Sequence, residues 1–309
     1  MKVVTVGPGA MGCLFTTFLA EAGLKVLLLD HDSNRANLLN KTGLFIEGIS
    51  GEHHVKVPVT ASPEAADGAD LILVCVKSYS TGTAVNNLVP VLKPEARVLT
   101  LQNGIGNVEI LGEKCGLSRV WGGVTSQGAT LLEPGHVRHA GTGPTIIGAA
   151  SGPGQESRLT HVADLFTKAG IPTSVESKVE TLIWSKLIVN VGINTLTAIT
   201  RLKNGMLLDY PGTEYLMEMA VNEAVSVTRA KGIEPIFPDP VEHVKSVARA
   251  TAGNIASMLQ DILAKRKTEI DSINGAVVTH GQRLGISTPV NETLTALVKT
   301  IEASYDETV

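Results

Sequence analysis

Lys186, Asn190 and Asn194 recur every four residues within WSKLIVNVGINTLTA, where Leu187, Ile188, Val189, Val191, Ile193 and Leu196 all favour a core. On a helix advancing about 100° per residue, the three polar positions fall within an arc of about 80°. Burying an unpaired ammonium costs several kcal/mol and each unsatisfied amide roughly 1–3 kcal/mol, so packing alone does not explain the stripe. In one reading Lys186 snorkels to solvent and the amides bond neighbouring helices. In the other, the stripe faces a reacting carbonyl. Hydride added to a carbonyl carbon leaves an alkoxide, which needs a proton and a positive partner. A lysine supplies both, and partial burial lowers its pKa from about 10.4 toward neutrality. Asparagines then orient a carbonyl or carboxylate without adding charge. A hydride donor bound nearby decides between the two readings.

A second polar set lies in GNIASMLQDILAKRKTEIDSING. The spacing places Asn254, Ser257 and Asp261 on one helical face, with Glu269 about 60° from Asn254 on an ideal wheel. An ordinary exposed amphipathic face reads the same way, above all for Asp261 and Lys265. A carboxylate such as Glu269 would orient a substrate hydroxyl or tune Lys186.

A turn for the hydride donor is offered at the other end of the chain, in VVTVGPGAMGCLFTTFLAEAG. Gly7, Gly9 and Gly12, with Pro8, Ala10 and Met11 between them, form G-x-G-x-x-G between an apolar strand and a helical pattern. Gly7 permits the tight bend, Gly9 lets backbone approach a pyrophosphate, and Gly12 lets helix and strand pack closely. A glycine-rich turn that binds nothing shares these letters; the following strand, KVLLLD, makes the dinucleotide reading fit. Asp30 stands 18 residues after Gly12, where an acidic side chain accepts hydrogen bonds from ribose hydroxyls and repels a 2′-phosphate, favouring NAD(H). His31 and Arg35, turned inward, would hold such a phosphate instead; otherwise both belong to a solvated turn. Lys77 in CVKSY and Asn103 in LQNGIG close the next two strands, at the carboxyl ends where parallel sheets bind ligands. Taken alone, they read as a surface lysine and a turn.

The elements that must position these residues follow from hydrophobic patterning. Short continuous apolar strands alternate with helices near Met11–Ala22 and Ser80–Leu92, which predicts a parallel sheet covered on both faces. FIEG and VKVPVTAS suggest an inserted hairpin, and GATLLEPGHVRHAGTGPTIIGA suggests antiparallel strands at the far sheet edge. A helix over about 155–168 and the strand IPTSVES complete this half. From Lys178 the pattern is all-helical, punctuated by proline and glycine. The expected architecture is an α/β Rossmann-type dinucleotide-binding domain over 1–177 and an all-α catalytic domain over 178–309, with the active site in a cleft between them.

Composition narrows the partners. A formal charge of −4 and 4% aromatic residues give no general attraction for nucleic acid or anionic membranes. Mean hydropathy is +0.18, yet every stretch of about 18 residues carries a charge or strong polar group, so no membrane span is expected. A strand pattern starting at Lys2, with no signal-peptide layout, and the odd set Cys13, Cys75 and Cys115 suggest a reducing cytoplasm. His136 and His139 would face opposite sides of a strand, so no metal is expected. The apolar helices of the second half suit either a homodimer or their own core.

GPGAMG, KSY, QNGIG, WSKLIVNVGINTLTA, LKNG and SMLQDILAKRKTEIDSING, in that order, resemble the 2-dehydropantoate 2-reductase (ketopantoate reductase) family across essentially the whole chain. The resemblance implies reduction of 2-dehydropantoate to pantoate with a nicotinamide coenzyme, usually NADPH, on the route to pantothenate and coenzyme A. It implies a general-acid role for Lys186 and an essential glutamate at Glu269. Substrate contacts would come from Asn190, Asn194, Asn204 and Ser257, with Asn254 nearby. Coenzyme contacts would come from residues 7 to 12, Lys77, Asn103 and Ala129. The family often has an arginine just after the second strand for the 2′-phosphate; here Asp30-His31 stands there, with Arg35 later, which leaves both NADP(H) and NAD(H) open. A dehydrogenase for another 2-ketoacid or 2-hydroxyacid, or a non-catalytic coenzyme-sensing regulator, would share the coenzyme half.

Overall fold

The computed structural model describes residues 1–152 and 154–307. The chain divides into two compact units, one of residues 1–102 and 107–180, the other of residues 103–106 and 181–309. The strands, all in the first unit, are β1 (Lys2–Val6), β2 (Lys25–Leu29), β3 (Leu44–Gly48), β4 (His53–Val55), β5 (Val59–Thr60), β6 (Leu71–Val74), β7 (Arg97–Thr100), β8 (Val120–Thr125), β9 (Gly128–Glu133), β10 (His136–Gly141), β11 (Thr145–Ala149) and β12 (Thr173–Val175). The helices between them are α1 (Ala10–Glu21), α2 (Ser33–Thr42), α3 (Thr81–Asn86), α4 (Asn107–Cys115) and α5 (Glu156–Lys168).

The main sheet runs β5-β2-β1-β6-β7-β8-β11-β12, with its first six strands parallel. This is the Rossmann order, in which ligands meet the carboxyl ends of the strands. Alternate residues feed two cores. Val3, Leu28, Leu73 and Leu99 pack with α1 and α5 on one face, through Leu14, Phe15 and Phe166. Val4, Val6, Ile72, Val74 and Val98 pack with Val85, Leu88 and Leu111 on the other. Burial on both faces is why these strands read as continuous apolar runs.

A smaller sheet, β4-β3-β10-β9, corrects two expectations. β3 and β4 do form an antiparallel hairpin, but Val59–Thr60 leaves it and pairs with β2 at the edge of the main sheet. The stretch over 128–141 does not lie at the far edge; β10 pairs in parallel with β3, and only β11 continues the main sheet, antiparallel to β8. The expected helix over 80–92 shrinks to Thr81–Asn86 with single 3-10 turns on either side, Pro90 falling in the second.

Among the described residues the second unit is helical, with α6 (Val179–Thr200) entering it from the boundary and followed by α7 (Pro211–Ala230), α8 (Pro240–Ala250), α9 (Ser257–Leu263), α10 (Asn274–Leu284) and α11 (Pro289–Ala303). α6 is long and apolar enough to cross a membrane by composition, but most of its length is buried. Trp184, Leu187, Ile188, Val191, Ile193 and Leu196 form the centre of this unit's core with Met217, Val221, Val244 and Val277. The expected helical face joining Asn254 to Glu269 is not formed. α9 ends in a full Schellman motif, in which the Lys265 amide donates to the Ile262 carbonyl at 3.0 Å and the Arg266 amide to the Asp261 carbonyl at 2.9 Å. Lys265 takes the left-handed position, with φ +50°, where glycine is usual. Asp261 is buried with an Arg266 nitrogen at 3.3 Å from its Oδ1, rather than exposed.

Candidate active site

The turn after β1 is shaped by its glycines. Gly7 has φ +103°, and a Cβ on Gly12 would lie 2.0 Å from the Gly7 carbonyl oxygen. Helix and strand therefore meet closely only with glycine at 12. Around a Cβ built on Gly9 the nearest atom is 4.0 Å away, so this side of the turn is open. Gly9, the N-cap residue, precedes α1 in extended backbone and has no side chain with which to cap the helix. Pro8 is buried and Ala10 and Met11 are half-buried. Uncapped amides beside an open, glycine-walled turn fit a pyrophosphate.

At the end of β2 the Asp30 carboxylate is fully buried and already engaged. Arg35 Nε donates to Oδ2 at 2.6 Å, Arg35 Nη2 donates to Oδ1, and the His31 amide donates to Oδ1 at 2.7 Å. Asp32 caps α2 by accepting from the Asn34 and Arg35 amides, which fixes where the Arg35 side chain starts. The His31 side chain is 88% exposed. Asp30 is thus the anchor of a guanidinium rather than a bare acceptor.

Lys77 is half-buried ahead of the 3-10 turn Ser78–Ser80. Gln102, to which no local sequence signal draws attention, braces this region. Its amide donates to the Val76 carbonyl at 2.6 Å and to Thr81 Oγ1 at 2.8 Å, and its oxygen accepts from Thr100 Oγ1 at 2.9 Å. It ties together the chain leaving β6 and β7. Ala129 sits on β9 of the small sheet, paired with His139, its methyl against the core around α1.

In the helical unit, Lys186 is half-buried on α6. Burial pushes its ammonium down from 10.5 to about 8, against the opposing pull of the Glu269 carboxylate. Glu269 is buried just before the 3-10 turn Ile270–Ser272. On the same helix Asn194 is buried, and Asn190 keeps a buried Nδ2 without a hydrogen-bond partner. Asn204 is buried too; its Nδ2 donates to Thr251 Oγ1 at 2.9 Å, while its Oδ1 has no partner. Ser257 opens α9 half-buried, whereas Asn254 lies outside the helix with its side chain exposed, and its carbonyl accepts from the Asn204 amide at 3.2 Å. The loop carrying Asn103 belongs to this unit. The Ile105 amide donates to the Ser272 carbonyl at 2.8 Å, and Gly104, with φ +82°, leaves no room for a Cβ beside the same oxygen. Asn103 is thereby tethered to the segment that follows Glu269.

An ammonium tuned by burial, a buried carboxylate acting on it, and two orphan amide atoms are groups suited to holding and protonating a small polar ligand. Comparison with known proteins agrees in family. The model of the ketopantoate reductase PanE/ApbA family matches residues 3–152, and that of its C-terminal domain matches residues 178–302. A 2-dehydropantoate 2-reductase of Halobacterium salinarum is 40% identical over 300 residues, covering 97% of this chain and 98% of that one. The crystal structure of a PanE/ApbA family ketopantoate reductase from Ralstonia eutropha superposes with TM-score 0.91 at 36% identity, covering 99% of this chain and 100% of that one. D-mandelate dehydrogenase with NADH and anilino(oxo)acetate superposes with TM-score 0.93 at 29% identity, with coverage of 99% and 100%. The chain belongs to the PanE/ApbA ketopantoate reductase family.

Proposed function

We propose that this protein reduces 2-dehydropantoate to pantoate with a nicotinamide coenzyme, using Lys186 as the general acid. The observation that carries the reading is the half-buried Lys186 ammonium, pushed to about 8 and balanced by Glu269. An ordinary surface lysine would hold its proton too tightly at working pH to donate it well. When bound, the coenzyme supplies the hydride that reaches the 2-carbonyl carbon.

The chain's own groups do the rest. The uncapped amides at the start of α1, beside Gly9, hold the pyrophosphate. Lys186 hydrogen-bonds the 2-oxygen, stabilises the negative charge that develops there and delivers the proton that completes the hydroxyl. Glu269 keeps the amine charged before transfer and favours its reprotonation from solvent afterwards. Asn190, Asn194, Asn204 and Ser257 hold the carboxylate and hydroxyls, and the unpaired Asn190 Nδ2 and Asn204 Oδ1 gain partners when substrate arrives. Lys77, Asn103 and Ala129 complete the coenzyme contacts.

Both coenzymes are accepted in this reading. Arg35 neutralises Asp30, so no bare carboxylate repels a 2′-phosphate, and a guanidinium already committed to a buried acid attracts it only weakly. A second substrate reading rests on the likeness to D-mandelate dehydrogenase, which points to 2-ketoacids with bulky substituents. Side-by-side turnover of 2-dehydropantoate and phenylglyoxylate with each reduced coenzyme tests the assignment. A kcat/KM at least tenfold higher on 2-dehydropantoate is expected. The reverse order would transfer the chain to the second reading.

A further inference from the structure

We infer that the side chain of Asn274 is a positioning residue that sets the register between the helix carrying Lys186 and the segment carrying Glu269. The inference rests on the proposed roles of those two groups. Asn274 is wholly buried at the first position of α10, five residues beyond Glu269. Its Oδ1 accepts from Thr195 Oγ1, and its Nδ2 donates to Asn291 Oδ1 at 2.9 Å and reaches the Val191 carbonyl at 3.5 Å. Thr195 and Val191 both lie on α6, nine and five residues after Lys186 and on either side of Asn194.

The tie is itself anchored. Asn291 Nδ2 donates to Glu223 Oε2 at 2.7 Å and to the Ala220 carbonyl at 3.0 Å, and the amides of Val290 and Asn291 both donate to Glu223 at 2.9 Å. One amide thus binds α6 to α10, and through Asn291 to α7 and α11. Thr195, Asn274 and Asn291 are each fully buried, so water does not readily replace the bonds that Asn274 makes to Thr195 and Asn291. The geometry is also chemically specific. Asn274 must accept on one atom and donate from the other, which neither leucine nor aspartate reproduces. Among the described residues, Glu269 is the charge whose field bears on the Lys186 ammonium. A slip of α6 against the 269–274 segment changes that separation, and a Coulomb energy varies inversely with distance.

The test uses Thr195→Val, which removes the hydroxyl at nearly constant shape, and Thr195→Ser, which keeps it. The readout is the titration of the Lys186 ε-carbon by NMR in 13C-lysine-labelled protein, assigned with Lys186→Met. This readout needs no turnover, so it stands apart from the substrate assignment. The expected result is a midpoint displaced by half a pH unit or more in Thr195→Val, with kcat reduced severalfold and coenzyme Kd unchanged, while Thr195→Ser keeps the wild-type midpoint. An identical midpoint in all three proteins, even with a lower Tm for Thr195→Val, would show a packing role only and overturn the inference.

Discussion

Raising the pH from 7 to 10 carries the Lys186 ammonium through its titration. With its pKa brought down to about 8, Lys186 is roughly nine-tenths protonated at pH 7 and about one-hundredth at pH 10. If it is the proton donor, kcat/KM for ketoacid reduction falls tenfold per unit above pH 8. The same shift carries a stability signature. An unfolded lysine keeps its proton up to about 10.4, whereas the folded one releases it near 8, so the unfolded state binds more protons between those values and stability rises with pH across that window. The rise amounts to about 3 kcal/mol, at 1.36 kcal/mol per unit. Below pH 8 the folded protein therefore bears this penalty in full, and above about 10.4 it is gone. Urea denaturation of wild type and Lys186→Met at pH 7 and pH 10.5 isolates it, because other titrations cancel in the difference. Wild type should gain about 3 kcal/mol on the variant over that range. A constant difference, together with kcat/KM holding level to pH 10, would refute a buried, tuned ammonium.

The Asp30–Arg35 pair predicts modest coenzyme discrimination, with Kd values for NADPH and NADH within about tenfold of each other in fluorescence titrations. Asp30→Asn frees the guanidinium and should raise the preference for NADPH about tenfold, while Arg35→Ala bares the carboxylate and should reverse it; unchanged ratios in both variants would remove the pair from coenzyme choice. Lys265→Gly relieves the left-handed backbone at the end of α9 and should stabilise the protein by about 0.5–1 kcal/mol in urea titration. A loss of stability there would mean that the lysine side chain makes contacts worth more than the strain.

Patterning in the sequence was enough for elements whose signals are local. The helix after the glycine turn was expected over 11–22 and spans Ala10–Glu21, and α6 displays its polar stripe where periodicity placed it. Pairing between distant segments was not legible. β10 joins β3 across some ninety residues, a choice made by burial of Val137 and Ile46 against α1, to which no short window is sensitive. A helical wheel drawn from Asn254 to Glu269 failed because Lys265 turns left-handed and ends α9, a conformation that its residue type argues against. Asp30 reads as a free acceptor in the sequence because nothing in the turn that follows it shows the Arg35 guanidinium folding back onto it. The roles of Gln102 and Asn274 are hidden in the sequence for a related reason. Each works through side-chain bonds to residues far along the chain, and only its neighbours in QNGIG and SING hinted at either.

Single-turnover reduction of 2-dehydropantoate by Lys186→Met, with its coenzyme Kd measured alongside, tests the central claim most directly. The expected result is a hydride-transfer rate lowered by at least a hundredfold with coenzyme affinity within twofold of wild type. Near-normal turnover in that variant would leave the proton with another donor and contradict the assignment of Lys186.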